Sequence, residues 1–128
     1  MKHLLDVNAL VALCIAQHQF HSRVALWTNS QRGAKFLTSS ITEIGFVRIA
    51  AQLPNYTLDV VHAKAILASV KSSMPLGHIA DANDILALPG WVDRPGQVTD
   101  GHLLQLAVTH GAVLATLDQG IPGAYLLP

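Results

Sequence analysis

The chain contains one cysteine, one glutamate and few charged residues of any kind. Each scarcity rules something out. Cys14 has no partner for an internal disulfide, so the fold rests on its core. Its place in an apolar helical pattern reads as a buried, inert thiol, consistent with a cytoplasmic setting. Charged residues make up 12% of the chain and hydrophobic ones 51%. About 25% charge is usual for a soluble domain. Part of the surface is therefore expected to be covered by a partner or a second copy. Lysine plus arginine equals aspartate plus glutamate at eight each, so bulk attraction to nucleic acid is absent. A local basic strip stays open if the acids gather in one pit. No run is long and clean enough to span a membrane. The opening Met1-Lys2-His3-Leu4-Leu5 has the flavour of an export signal, but Asp6 and Asn8 interrupt its apolar run.

What is present is an unusual placement of acids. A helix-rich protein normally scatters glutamate over exposed faces, because glutamate is a good helix former. Here Glu43 stands alone. It and Asp6, Asp100 and Asp118 each sit inside or beside an apolar run. Asp59, Asp81, Asp84 and Asp93 sit in polar or turn-like surroundings and read as caps and loop residues.

The pattern predicts alternating short strands and helices. His3-Leu4-Leu5 reads as a strand with Asp6 at its end, followed by a helix from Val7 to Gln17. Ser22 to about Gln31 reads as a second helix, and Phe36-Leu37-Thr38 as a second strand. Ser39-Ser40 then opens a helix through Ala50. Ser40-Ile41-Thr42-Glu43 fits a capping box, which gives Glu43 a purely structural explanation. Against that, Glu43 shares a helical face with Val47 and Ala50 and leans inward. Thr57 is expected to cap a helix reaching Val70, and His78-Ile79-Ala80 to form a third strand. Asp81 to Leu88 is ambiguous. Asp100 falls where another helix should start, Gly111 ends it, and Ala112 to Ala115 is a strand with Asp118 beyond it. Ala124 to Leu127 reads as an edge strand.

Such alternation points to a single α/β domain over residues 1–128, with a parallel sheet covered on both faces. In such sheets ligands bind beyond the carboxyl ends of the strands. Asp6, Glu43, Asp100 and Asp118 are expected to converge there. Four crowded carboxylates repel one another, and a divalent cation is the usual remedy. Oxygen-only ligands select a hard ion, Mg2+ or Mn2+, which leaves room for phosphate oxygens. That suits phosphodiester hydrolysis by water, giving a 5′ phosphate and a 3′ hydroxyl. His18 and His21, three apart, are a zinc pair without a third ligand. They read better as a polar hinge packing on Trp27.

Four segments together carry a resemblance. Asp6-Val7-Asn8-Ala9-Leu10, Thr42-Glu43-Ile44-Gly45-Phe46-Val47-Arg48, Val98-Thr99-Asp100-Gly101-His102-Leu103-Leu104 and Leu114-Ala115-Thr116-Leu117-Asp118 resemble PIN-domain ribonucleases. Among these they look like the VapC-type toxins of prokaryotic toxin–antitoxin pairs. The resemblance implies a three-layer α/β/α fold with a small, mainly parallel central sheet. It makes Asp6, Glu43, Asp100 and Asp118 the catalytic metal site. Asn8, Thr99 and Thr116 become the residues that hold those carboxylates, and Arg48 becomes a candidate contact to phosphate or partner. It also implies an RNA substrate, a homodimer, and an antitoxin whose C-terminal segment covers the site. His18, His21 and Trp27 look structural. Gly101 stands where alanine is more usual, so a looser helix start is expected.

Two rivals differ in class. A phosphatase with an aspartyl nucleophile would need a second aspartate two residues after the first, where this chain has Asn8. A catalytically inactive PIN-fold interaction module would have no reason to keep four acids.

Overall fold

The computed structural model describes all 128 residues. Its centre is a five-stranded, wholly parallel sheet: β1 (Lys2–Leu5), β2 (Lys35–Ser39), β3 (Leu76–Ile79), β4 (Val113–Thr116) and β5 (Tyr125–Leu126). The strand order is β3-β2-β1-β4-β5. Helices α1 (Val7–Cys14), α2 (His21–Ser30), α3 (Ser40–Gln52) and α4 (Val60–Ser73) precede α5 (Val98–Thr109) along the chain. No helix is long and apolar enough to cross a membrane.

Side-chain alternation splits the core in two. Leu5, Phe36 and Ala115 point to one face and join Leu10, Val24, Trp27, Phe46 and Leu67. Their neighbours Leu4, Leu37 and Leu114 point to the other and meet Leu103, Leu106 and Ile121. Successive strand residues face opposite sides, so a strand buried on both must be apolar throughout. That is why these strands read as continuous runs. The expected three-layer α/β/α architecture follows, with α5 alone supplying the second helical face.

Several boundaries differ from the sequence expectation. Helix α1 stops at Cys14, three residues before Gln17, because Ile15 turns extended and buries its side chain (1% exposed). The cap of α4 is Asp59, whose Oδ1 accepts the His62 amide at 2.8 Å. Thr57 instead takes a left-handed φ of 51° to close the turn Pro54–Tyr56. Strand β3 runs Leu76–Ile79, two residues earlier than the expected His78-Ile79-Ala80. Pairing with β2, from Phe36 opposite Leu76 to Ser39 opposite Ile79, recruits it. At the sheet edge, proline and glycine are tolerated. Helix α5 begins at Val98, so Asp100 lies inside its first turn, still at the end that favours an anion. Its other end is as expected: Gly111 adopts φ 65°.

The strand order fixes the site. From β1 the chain moves to β2 on one side, yet β4 lies on the other. This reversal opens a crevice at the carboxyl ends of β1 and β4, the usual ligand position of such sheets. Asp6 follows β1 directly, and Asp118 lies two residues past β4.

Candidate active site

Asp6 caps α1. Its Oδ1 accepts the Val7 amide at 2.7 Å, and its Oδ2 accepts the Thr116 hydroxyl at 2.7 Å. Thr116 is fully buried and Asp6 is 5% exposed. The same hydroxyl oxygen accepts Asn8 Nδ2 at 3.1 Å and the Asp118 amide at 3.0 Å. Asn8 Oδ1 in turn accepts the Leu117 amide at 3.0 Å. One threonine thus ties the end of β1, the first turn of α1 and the exit of β4 together. Asp118 Oδ1 accepts the Gly120 amide at 2.8 Å, which orients the carboxylate at its loop.

Asp6, Asp100 and Asp118 line one cavity of about 480 Å³ with Asn8, Thr99 and Arg48. Its apolar wall comes from Val7, Ile41, Ile44 and Ile49. None of the three aspartates forms a salt bridge; the ion pairs all lie elsewhere. Burial pushes the Asp6 carboxyl above its ordinary pKa. The Asp118 charge adds to that, and the bonds from Thr116 and Val7 offset part of it. Asp100 is also raised, by burial first and then by the charges of Asp6 and Asp118. In both shifts burial comes first and the charge of neighbouring aspartates adds to it.

Glu43 does not line this cavity. It opens into a second groove of about 480 Å³ between α3 and α4, with Arg48, Lys64 and Lys71. There its Oε2 accepts Thr38 Oγ1 at 2.5 Å and Lys71 Nζ at 2.7 Å. Burial alone would raise its pKa, but those two bonds and the Lys71 and His78 charges outweigh it and hold the carboxyl low. The capping box of α3 is real but belongs to Ser39 and Thr42, one residue earlier than expected. Glu43 is therefore free of any capping duty. The structure brings three of the four acids to one cavity and sets the fourth in the adjoining groove.

Of the three residues expected to hold the carboxylates, only Thr116 bonds one; Asn8 bonds the Thr116 hydroxyl and the Leu117 amide, and Thr99 lines the cavity without a hydrogen bond to a carboxylate. Arg48 is exposed and borders both the cavity and the groove. Sequence reading missed Thr38 and Lys71. The signal for Thr38 was a hydroxyl residue directly after the apolar pair Phe36-Leu37, five residues before Glu43. For Lys71 it was a lysine spaced seven from Lys64, on one face of α4.

The histidine pair is structural. His18 Nδ1 accepts the Phe20 amide at 3.0 Å, and His21 Nδ1 lies 2.8 Å from the Ala12 carbonyl oxygen. Trp27 packs not on that hinge but edge-on to His3, with centroids 4.9 Å apart, and against Phe36 and Tyr125. The ambiguous segment after β3 is an ordered loop. Asp81 Oδ2 lies 2.6 Å from His102 Nε2, and Asp84 caps the short turn Ile85–Ala87. That loop also explains Gly101: a Cβ there would stand 2.4 Å from Val92 Cγ2. The glycine does not loosen the helix start; it admits the loop that covers it.

No family profile matches the chain. Individual relatives do. Ribonuclease VapC44 of Mycobacterium tuberculosis is 36% identical over 135 residues, spanning 97% of this chain and 94% of its own. Ribonuclease VapC38 of the same species is 34% identical over 126 residues, spanning 92% and 86%. Among solved structures, M. tuberculosis VapC20, a toxin cleaving the sarcin–ricin loop, superposes with a TM-score of 0.68 at 14% identity, covering 98% of this chain and 99% of that one. VapBC2 of Rickettsia felis, bound to a promoter DNA fragment, gives 0.63 at 14% identity, covering 98% and 97%.

Proposed function

This chain belongs to the VapC ribonucleases, the toxins of VapBC toxin–antitoxin systems, and from that premise we propose that Asp6, Asp100 and Asp118 hold a divalent cation for RNA hydrolysis. The observation that carries the reading is the trio of carboxylates in one cavity with no cationic partner and with two of their pKa values raised. No three acidic, histidine or cysteine side chains close into a ready-made cage. An open set suits Mg2+ or Mn2+, which keep several waters and take few carboxylates. Such an ion supplies charge to polarise a phosphate oxygen and to acidify water.

The chain's own residues do the rest. The Thr116 hydroxyl and the Val7 amide fix both oxygens of Asp6, so its orientation is set before substrate arrives. Asp100, in the first turn of α5 at the cavity wall, is placed to orient the attacking water. The apolar wall around Ile41 and Ile49 limits solvent and strengthens these electrostatic effects. Arg48, at the mouth of both hollows, is placed to meet a phosphate of the flanking RNA. Glu43 stands in the adjoining groove, its carboxylate paired with Lys71.

An antitoxin partner accords with the VapBC complex among the structural neighbours. Strongly exposed apolar side chains at Leu26, Val61, Leu86 and Val108 offer surface for that partner and for a homodimer. RNA cleavage followed with Mg2+ or Mn2+ and then with a chelator tests the reading. Cleavage that needs the ion supports it, and cleavage that survives chelation overturns it. A protein silent with every ion, yet able to bind its antitoxin, would be the inactive module.

A further inference from the structure

The loop that follows β3 lays a small polar hollow against α5. It shares no lining residue with the aspartate cavity. Its volume is about 240 Å³. Small-molecule sites usually run to about 300–1,000 Å³, so the hollow suits one side chain rather than a nucleotide. His102, 6% exposed, forms part of the wall, and its Nε2 is engaged by Asp81 Oδ2 at 2.6 Å.

The hydrogen bonds around the hollow fix what it still has to offer. Thr109 Oγ1 donates to the Gln105 carbonyl at 2.9 Å, so toward Asn83 it can only accept, and it does so from Nδ2 at 3.1 Å. Gln105 Nε2 donates to the Ala87 carbonyl at 2.6 Å. Both amides are thereby oriented with their oxygens free. Asp84 uses Oδ1 on the Leu86 amide at 2.9 Å and forms no ion pair. Two amide oxygens and a carboxylate oxygen remain as acceptors, and no lysine or arginine lines the hollow to answer them.

Such a set calls for a cation with several N–H donors. An ammonium is a compact, strongly hydrated charge. A guanidinium presents five donors in one plane and is more weakly hydrated. The methylene stem of an arginine would pack on Ala87 and Leu88, which supply the apolar part of the wall. The rim points to a protein as the source. Ile85 and Leu86, next to Asp84, are 51% and 90% exposed, and Val108, next to Thr109, is 67% exposed. Protein interfaces seat an arginine in this way, in a pocket whose surrounding contacts exclude water.

We propose that the hollow between residues 83–88 and α5 is a docking site for an arginine of a partner protein, held by Asp84, Asn83 and Gln105 and shielded by Leu86 and Val108. The site stands independently of the metal reading of the aspartates.

Nuclear magnetic resonance of the isotope-labelled full chain, titrated with N-acetylarginine amide, tests it. The side-chain amides of Asn83 and Gln105 should shift and saturate with a dissociation constant of about 1 mM. N-acetylcitrulline amide, alike in shape but uncharged, should bind at least about tenfold more weakly, and so should the lysine counterpart. Asp84→Asn keeps the oxygen that caps the turn and should weaken arginine binding at least about tenfold. A capped Leu-Arg-Leu peptide should bind at least about tenfold more tightly than the arginine amide. Leu86→Ser should abolish that gain and leave the amide itself within about twofold. No saturable shift, equal binding of citrulline, an unchanged Asp84→Asn, or shifts only around Asp118 and Gly120 would overturn the site. Arginine amide bound without any gain from the flanking leucines would mark a site for a free guanidinium compound and overturn the protein partner.

Discussion

Replacing Thr116 by valine removes one oxygen and almost no volume, yet it should cost more than most single substitutions. The hydroxyl donates to the Asp6 carboxylate at 2.7 Å, a charge-assisted bond worth about 1.5–3 kcal/mol. It also accepts from Asn8 Nδ2 and the Asp118 amide, each worth about 1 kcal/mol. Those two donors border the open cavity, where water can replace the lost oxygen. Asp6, 5% exposed beside a fully buried residue 116, has no such replacement. The net loss at pH 7 is therefore about 2–3 kcal/mol, dominated by the one bond. Urea unfolding followed by circular dichroism should show the midpoint falling by about 1–2 M, for a slope near 1.5 kcal/mol per M. The penalty should also depend on pH. The Thr116 bond favours ionised Asp6, so the cost of losing it is full above the Asp6 pKa and shrinks as pH falls through it. Thr116→Ser keeps the oxygen and should lose only about 1 kcal/mol for the buried methyl. A valine penalty below about 0.5 kcal/mol, or one identical at pH 7 and pH 4, would refute the claim that this hydroxyl holds Asp6.

Two further outcomes follow from the same geometry. Asp100→Asn should lower RNA cleavage at least about a hundredfold while stabilising the fold at neutral pH. Its folded pKa is raised above the unfolded value, so ionisation weakens the native state; the penalty is absent below the ordinary carboxylate range and complete above the folded pKa. The stability gain of Asn over Asp should thus be larger at pH 7 than at pH 4, and equal gains at both would count against the repulsion described here. Gly101→Ala sets a helix-propensity gain of about 1 kcal/mol against overpacking of about 1–3 kcal/mol, with a Cβ 2.4 Å from Val92 Cγ2 and 3.3 Å from Pro89 Cδ. A net loss of up to about 2 kcal/mol is expected in the urea midpoint, and a more stable alanine variant would mean that the loop over α5 yields freely.

Much of the fold and of the site is legible in the residue pattern. Short apolar runs and helical spacings place the strands and α-helices to within a few residues. Residues of unusual type in apolar runs, above all the lone glutamate, mark the acids. Differences cluster where tertiary contact overrides local preference. Ile15 leaves α1 to fill the core, and Leu76 is drawn into the sheet by β2. Ser39 supplants Ser40 as a cap because β2 delivers its hydroxyl to the Thr42 amide. The partner of Trp27 is not legible, because His3 is distant along the chain and meets the indole only through the packing of α2 on the sheet.

By itself the sequence determined which acids interrupt apolar runs at strand and helix ends, and the side of the sheet on which they lie, since parallel strands end on one rim. It also determined that both faces of the central strands are buried, because Leu4-Leu5, Phe36-Leu37 and Leu114-Ala115 are adjacent apolar pairs. Only the tertiary structure decided which acids share a cavity. That choice depends on where α4 packs, and α4 brings Lys71 against Glu43 while leaving Asp6, Asp100 and Asp118 without a cation. The spacing of residues along a strand or helix is local and can be read from the chain; the partner of a charged side chain is settled by whichever distant element packs beside it.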